Sequence, residues 1–129
     1  MSACPCGRTT AKGQPLAFDA CCGPYHSGQA APDAESLMRS RYSAFCLERA
    51  PYLLRTWHAS HRPASIAFDP GVKWLGLEVR HAAESGDAGV VEFVARCRDA
   101  NGAQRMHETS RFVREAGRWY YIDGQVDIG

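Results

Sequence analysis

The sequence predicts an α+β fold, in which helices pack on one face of an antiparallel sheet of about four strands. Three observations support this prediction. The chain has 129 residues with 45% hydrophobic side chains, which suits one compact core. The spacing of apolar residues changes from about 3.6 to 2 near residue 72, so helices precede the sheet. Four of the six cysteines lie before residue 23, which predicts a small separate motif at the start.

Charge and hydropathy exclude several classes of protein. Fifteen basic and 14 acidic residues give a formal charge of +1, so nothing global indicates DNA wrapping or attraction to a membrane surface. No apolar stretch approaches the length of about 18 residues that spans a bilayer, and the first residues lack the pattern of a signal peptide. We therefore expect a soluble, cytoplasmic protein without a membrane partner. In that reducing compartment, clustered cysteines more often bind metal or act in redox chemistry than form disulfides.

The cysteines occur in two tight turns, Cys-Pro-Cys-Gly at 4–7 and Cys-Cys-Gly-Pro at 21–24. Proline and glycine allow each turn to point two sulfurs to one side. The Cys-x-x-Cys spacing typical of dithiol redox sites is absent, and Zn²⁺ prefers four such ligands in a tetrahedron. We therefore predict a Zn²⁺ site at Cys4, Cys6, Cys21 and Cys22. Two alternatives stay open: His26 could replace one sulfur, or the second cysteine pair could be small core residues.

These residues carry a resemblance to known proteins. The two cysteine pairs resemble SEC-C, the short zinc motif at the C-terminus of SecA, with a longer loop between the pairs. Five later segments resemble the YchJ family of uncharacterised bacterial proteins: LMRSRYSAF at 37–45, YLLRTWH at 52–58, WLGLEV at 74–79, VEFVAR at 91–96 and RWYYIDG at 118–124. The resemblance implies a SEC-C-like motif over residues 1–30 and a nuclear transport factor 2-like cone over 31–129. It implies a fold and no particular reaction.

Two helices are predicted between the motif and the sheet. The first runs from about 32 to 48, because Pro32 suits a first helical position and Asp33 suits the first turn. Its apolar residues form one stripe, and Arg41 lies inside that stripe. The second helix covers about 51–58, and an irregular loop rich in proline follows it.

Recurring turn signals divide the rest of the chain into four strands, near 72–81, 89–98, 104–114 and 118–124. Their connections are too short for crossovers, so the strands form a meander. An Asn101-Gly102 turn would place Phe93 opposite Ser110 and Val91 opposite Phe112. A two-residue turn at 86–87 would mismatch the apolar residues of the first hairpin, so we expect a longer loop or a bulge there.

This register brings polar side chains to the face that the helices cover. Buried carboxylates need a partner or water, and Arg41 is the obvious partner. The group is either a structural ion pair or a polar pocket inside the cone. The candidate pocket residues are Glu108, Ser110, Tyr121, Asp123, Arg41 and Trp57.

Three hypotheses for function follow. The first is a zinc-containing binding or adaptor module that contacts another protein through the cysteine motif. The second is a small-molecule binder or an enzyme that uses the pocket, with no catalytic residue or reaction indicated. The third is a nucleic-acid binder, because Arg96, Arg98, Arg105 and Arg111 alternate onto the opposite face of the sheet, beside the zinc knuckle.

Overall fold

The computed structural model of the protein describes residues 3–128 and confirms the predicted α+β fold. A short 3₁₀ turn, Phe18–Ala20, precedes the first helix. The helices are α1 (Gly23–His26), α2 (Ala34–Cys46) and α3 (Ala50–Arg55). The strands are β1 (Lys73–Ser85), β2 (Ala88–Asp99), β3 (Gly102–Glu115) and β4 (Arg118–Ile128). None of the described helices is long and apolar enough to cross a membrane.

Both longer helices are shorter than the sequence predicts. Helix α2 begins at Ala34, because Asp33 is its N-cap and accepts a hydrogen bond from the Ser36 N–H at 2.7 Å. Pro32 therefore lies outside the helix. Helix α3 ends at Arg55, since the following residues pair with β4 instead. The Tyr121 N–H donates to the Thr56 carbonyl at 2.8 Å.

The four strands form an antiparallel meander in the order β1-β2-β3-β4, as predicted. The first hairpin has a two-residue turn, so the expectation of a longer loop is wrong and the alternative of a bulge is right. Register shifts after Trp74 and after Val79 place Val79 opposite Phe93 and Leu77 opposite Ala95. Each bulge adds one residue to β1 and so restores the apolar face.

The second hairpin turns one residue earlier than predicted. Asp99 pairs with Gly102, so Phe93 lies opposite Glu108 and Val91 lies opposite Ser110. The predicted cross-strand pairs are therefore wrong by two residues. The faces are right, because side chains alternate with a period of two and an even shift preserves the face.

The third hairpin begins as predicted, with Phe112 opposite Tyr121. A bulge then inserts Ile122, so that Arg111 pairs with Asp123 and Ser110 pairs with Gly124. A shift of one residue moves every later side chain of β4 to the other face. The prediction that Asp123 lies on the covered face is therefore wrong.

Helix α2 packs across the sheet, contacting β1, β2 and β4. Its buried residues Ala34, Leu37, Met38 and Tyr42 belong to the same core cluster as the four N-terminal cysteines and several strand residues. The cysteine motif therefore packs into the core of the α+β body. The domain boundary at residue 30 stays a prediction.

Gly89 allows β2 to approach the start of α2. A Cβ there would lie 2.9 Å from the Cβ of Ala34 and 3.2 Å from the Trp119 ring. We expect Gly89→Ala to lower the free energy of unfolding by about 1–3 kcal/mol, because neither neighbour can move freely. Gly76→Ala is the control, since its Cβ would meet nothing within 4 Å. Equal urea midpoints for both variants would contradict this account of the packing.

Candidate functional site

The four N-terminal cysteines form a compact cluster. Their Sγ atoms all lie within 4.8 Å of one another, with 3.6 Å between Cys6 and Cys21 and 4.0 Å between Cys21 and Cys22. Four sulfurs about 2.3 Å from a tetrahedral ion would be separated by about 3.8 Å. A disulfide would need about 2.05 Å, and all four thiols are free. The cluster therefore has the size of a tetrahedral metal site.

Backbone geometry explains how the two turns meet. Gly7 has φ of 77°, which a residue with a Cβ rarely adopts, so the Cys-Pro-Cys turn needs glycine there. The Cys4 N–H donates to the Leu16 carbonyl at 2.8 Å, which brings the loop back toward the second pair. A Cβ on Gly23 would lie 2.9 Å from the Phe18 carbonyl, so this glycine allows the second turn to pack tightly.

The chemistry of the cluster favours a bound cation. All four cysteines are buried. Burial, followed by the negative charge of Cys6, raises the pKa of Cys21 to about 12. Four neighbouring thiolates are therefore incompatible with the buried site unless a positive charge compensates them. The residues present fit a metal ion of the kind that binds sulfur.

His26 is not part of the cluster. Its Nε2 lies 2.8 Å from the Ser40 carbonyl, and its Nδ1 lies 3.1 Å from the Arg49 guanidinium. A neutral ring that donates from Nε2 and accepts at Nδ1 satisfies both contacts. Burial lowers the pKa of His26, which is consistent with the neutral form. The alternative in which His26 replaces a sulfur does not fit this geometry.

Polar contacts attach the motif to α2. Arg8 donates to the Ser36 hydroxyl at 2.9 Å, and Arg39 donates to the Cys6 carbonyl at 3.1 Å. The Cys4 sulfur lies 3.4 Å from the Ser43 hydroxyl. The cluster is thus enclosed between the N-terminal loop and one side of α2.

The second candidate site is a cavity of about 310 Å³ between α2 and the covered face of the sheet, here called the cone cavity. Its lining is mostly aromatic and aliphatic, with a few polar groups. The lining residues are Met38, Arg41, Tyr42, Phe45, Trp57, Trp74, Phe93, Ala95, Met106, Glu108, Ser110, Phe112 and Tyr121. Five of the six predicted pocket residues therefore line one cavity. The predicted set omits the apolar residues that make up most of the lining, although the period of two placed several of them on the covered face.

Glu108 is the acidic group of the cone cavity. The Ser110 hydroxyl donates to its carboxylate. Burial raises the pKa of Glu108, while Ser110, Arg41 and Tyr121 oppose that shift. Burial and the charge of Glu108 raise the pKa of Tyr121 to about 12, so the phenol stays protonated at neutral pH. The backbone of Gly124 lies against the carboxylate, which leaves no room for a Cβ there.

Arg41 is the basic group of the cone cavity and is only 5% exposed. Its Nη1 donates to the Leu53 carbonyl at 2.8 Å and to the Thr56 hydroxyl at 2.7 Å. Its guanidinium carbon lies 4.5 Å from the Tyr121 ring centre and 5.1 Å from that of Trp57. Burial lowers the pKa of Arg41 to about 10. The expected two-bond pairing with a carboxylate is not formed.

Asp123 lies outside the cone cavity. It accepts hydrogen bonds from Arg111 Nε at 2.7 Å and Nη2 at 2.6 Å, on the outer face of the sheet. The bulge at Ile122 is the physical reason, because it turns Asp123 away from α2. This ion pair also occupies one arginine of the predicted basic patch.

The raised pKa of Glu108 predicts a pH dependence of stability. The folded protein binds this proton more tightly than the unfolded chain, so the free energy of unfolding falls as pH rises from the ordinary glutamate pKa through the raised value. The Glu108→Gln variant should lack this fall. Urea unfolding at several pH values from acidic to neutral would measure the free energy of unfolding of both proteins.

Asp123→Asn is the matched comparison for that experiment. The Arg111 guanidinium lowers the pKa of Asp123, so its stabilisation is present above the ordinary aspartate pKa and is lost as pH falls. The two substitutions should therefore change the pH profile in opposite directions. Identical profiles for Glu108→Gln and the unchanged protein would contradict the assignment.

The fold and the cluster together define a nuclear transport factor 2-like domain joined to a SEC-C-type cysteine motif. Residues 33–124 match the family described as "YchJ, middle NTF2-like domain". A UPF0225 protein of Polaromonas naphthalenivorans is 63% identical, over 94% of this chain and 95% of that protein. The chain belongs to this family, UPF0225.

Two solved structures are similar to the whole chain. A SEC-C motif containing protein from Rhodopseudomonas palustris has a TM-score of 0.80 and 34% identity, covering 96% of this chain and 98% of its own. One from Psychrobacter arcticus has a TM-score of 0.80 and 32% identity, covering 100% of this chain and 85% of its own. These similarities support the fold and the cysteine motif.

Proposed function

We propose that the protein binds a small molecule in the cone cavity, and that a structural Zn²⁺ on the four cysteines attaches the N-terminal segment to α2. The cone cavity carries this proposal. A concave site of about 310 Å³, apolar for the most part with a few convergent polar groups, has the size and character of ligand pockets.

The cysteine cluster supports a structural role for the ion. Four sulfur ligands complete a tetrahedral shell, whereas a catalytic zinc keeps one position for water or substrate. Zn²⁺ is our proposal among the metals because four buried thiolates are its usual structural ligands, and the cytoplasm would keep them reduced. Metal analysis of protein purified without chelator should find about one zinc per chain. Iron in its place would refute the assignment.

The two other hypotheses rank below the cone cavity. An adaptor would use the outer surface of the cysteine motif, where residues 9–15 are exposed, but this exposure does not by itself specify a partner. On the outer face, Asp123 pairs with Arg111, which reduces the positive charge available to nucleic acid. Both hypotheses stay predictions that binding experiments can address.

A neutral fluorescent probe tests the proposed function. N-phenylnaphthylamine should gain fluorescence on binding the purified protein. Ala95→Phe should abolish the gain, because Ala95 lines the cone cavity and is 1% exposed. Ala103→Phe is the control, since Ala103 lies exposed on the outer face. No fluorescence gain with the unchanged protein, or an equal gain with both variants, would refute binding in the cone cavity.

A further inference from the structure

Arg41 is buried without a negative partner. Among the residues whose side chains the structure describes, no carboxylate oxygen lies within 4.0 Å of its guanidinium. The electrostatic attraction between Arg41 and the Glu108 carboxylate acts only at longer range. The Leu53 carbonyl, near the end of α3, and two aromatic rings supply partial negative charge, but no full charge. A buried cation is costly unless an anion pairs with it.

One edge of this guanidinium is also unused. Both bonds that Arg41 donates come from Nη1, so Nε and Nη2 have no acceptor among the described residues. Among the described residues, Nε1 of Trp119 is the one fully buried side-chain nitrogen or oxygen without a hydrogen-bond partner. Nε and Nη2 of Arg41 are therefore not fully buried. Arg41 lines the cone cavity, which is the space available to a partner of these two nitrogens.

Arg111 shows what this edge binds. Its Nε and Nη2 are the two atoms that hold the two oxygens of Asp123, at 2.7 and 2.6 Å. This parallel pairing is the preferred geometry between arginine and a carboxylate. In Arg111 a side chain of the protein pairs with Nε and Nη2, whereas in Arg41 the same two nitrogens are open to a ligand.

From the free edge of buried Arg41 in a mostly apolar cavity, we propose that the ligand is a monocarboxylate with an apolar body. The inference rests on the proposed function, because it names the ligand class of that cavity. The carboxylate pairs with Nε and Nη2 of Arg41. The apolar body lies among the aromatic rings, which include Tyr42, Phe45 and Trp74.

Glu108 sets the pH dependence of this binding. A charged Glu108 repels the ligand, whereas a protonated Glu108 is neutral and can donate a hydrogen bond. The groups that face it are Arg41 from α2, Ser110 from β3 and Tyr121 from β4. Binding should therefore be accompanied by proton uptake and should weaken as pH rises.

The test compares phenylpropionate with phenylpropionamide, which differ at the end that would meet Arg41. Titrations followed by two-dimensional NMR of labelled protein measure both dissociation constants and locate both probes. The carboxylate should bind more tightly by roughly tenfold to a hundredfold, as expected for a hydrogen-bonded charge pair. Glu108→Gln should strengthen binding of the carboxylate and leave that of the amide unchanged.

Each outcome decides a different claim. Equal affinity of the two probes in the cone cavity would overturn the carboxylate assignment and leave the proposed function standing. Binding of neither probe at millimolar concentration would overturn both. Tighter binding of phenyl phosphate than of phenylpropionate would replace the carboxylate with a phosphate. Arg41→Gln should remove the preference for the carboxylate, and because the probe comparison uses the unchanged protein, the conclusion does not depend on that variant folding.

Discussion

Cys22→Ser is expected to abolish the proposed metal binding by the cysteine cluster and to lower the free energy of unfolding by at least about 4 kcal/mol. Loss of a structural metal belongs to the short list of changes with effects of this size. The serine oxygen is a poorer zinc ligand than a thiolate, and the three remaining thiols would be buried without a cation. Metal content and urea unfolding of the same samples measure both consequences.

Two control variants separate metal binding from general damage. Cys97→Ser alters a thiol of β2 that lies outside the cluster, so metal content should equal that of the unchanged protein. His26→Ala removes the contacts to Ser40 and Arg49 and should cost stability while the ion stays bound. Loss of metal from His26→Ala, or retention of metal by Cys22→Ser, would contradict the four-sulfur assignment.

Phe112→Ala is expected to lower the free energy of unfolding by about 3–5 kcal/mol, which is the usual cost of removing a large buried ring. Phe112 is 2% exposed and packs against Tyr121 with 5.7 Å between ring centres, at the floor of the cone cavity. The substitution also enlarges that cavity, because the surrounding strands cannot collapse onto the space. Denaturant unfolding measures the change.

Val90→Ala is the control for this substitution. Val90 pairs with Arg111 on the outer face and is 38% exposed, so its truncation should cost far less than that of Phe112. Similar losses for the two variants would contradict the assignment of the covered and outer faces. Phe112→Ala should also change the affinity for cavity ligands, whereas Val90→Ala should leave that affinity unchanged.

Local patterns were sufficient to predict α2, α3, the four strands and the cysteine cluster. Cysteine pairs in turns containing proline and glycine are typical of metal sites where thiols stay reduced. Their spacing predicted which four sulfurs lie close together. The alternating apolar residues of β2 and β3 predicted the covered face even though the turn began one residue earlier, because an even shift preserves that face.

The position of Asp123 depended on tertiary pairing, which no local pattern records. The backbone of Tyr121 pairs with residues 56 and 58 as well as with β3, and Ile122 is the extra residue of the bulge beside it. The unpaired Nε and Nη2 of Arg41 could not be predicted from the sequence for the same reason. Its contacts with Leu53 and Thr56 arise from the way α3 packs on α2, and sequence spacing does not reveal that geometry.

Three consecutive residues of α2 connect the two sites. Ser43 contacts the sulfur of Cys4, while Arg41 and Tyr42 line the cone cavity. An ion that orders one side of this helix turn therefore restricts the other side, and linkage requires the effect to be mutual. On the proposed function, loss of zinc would weaken ligand binding in the cone cavity, and a bound ligand would raise the affinity for zinc by the same factor.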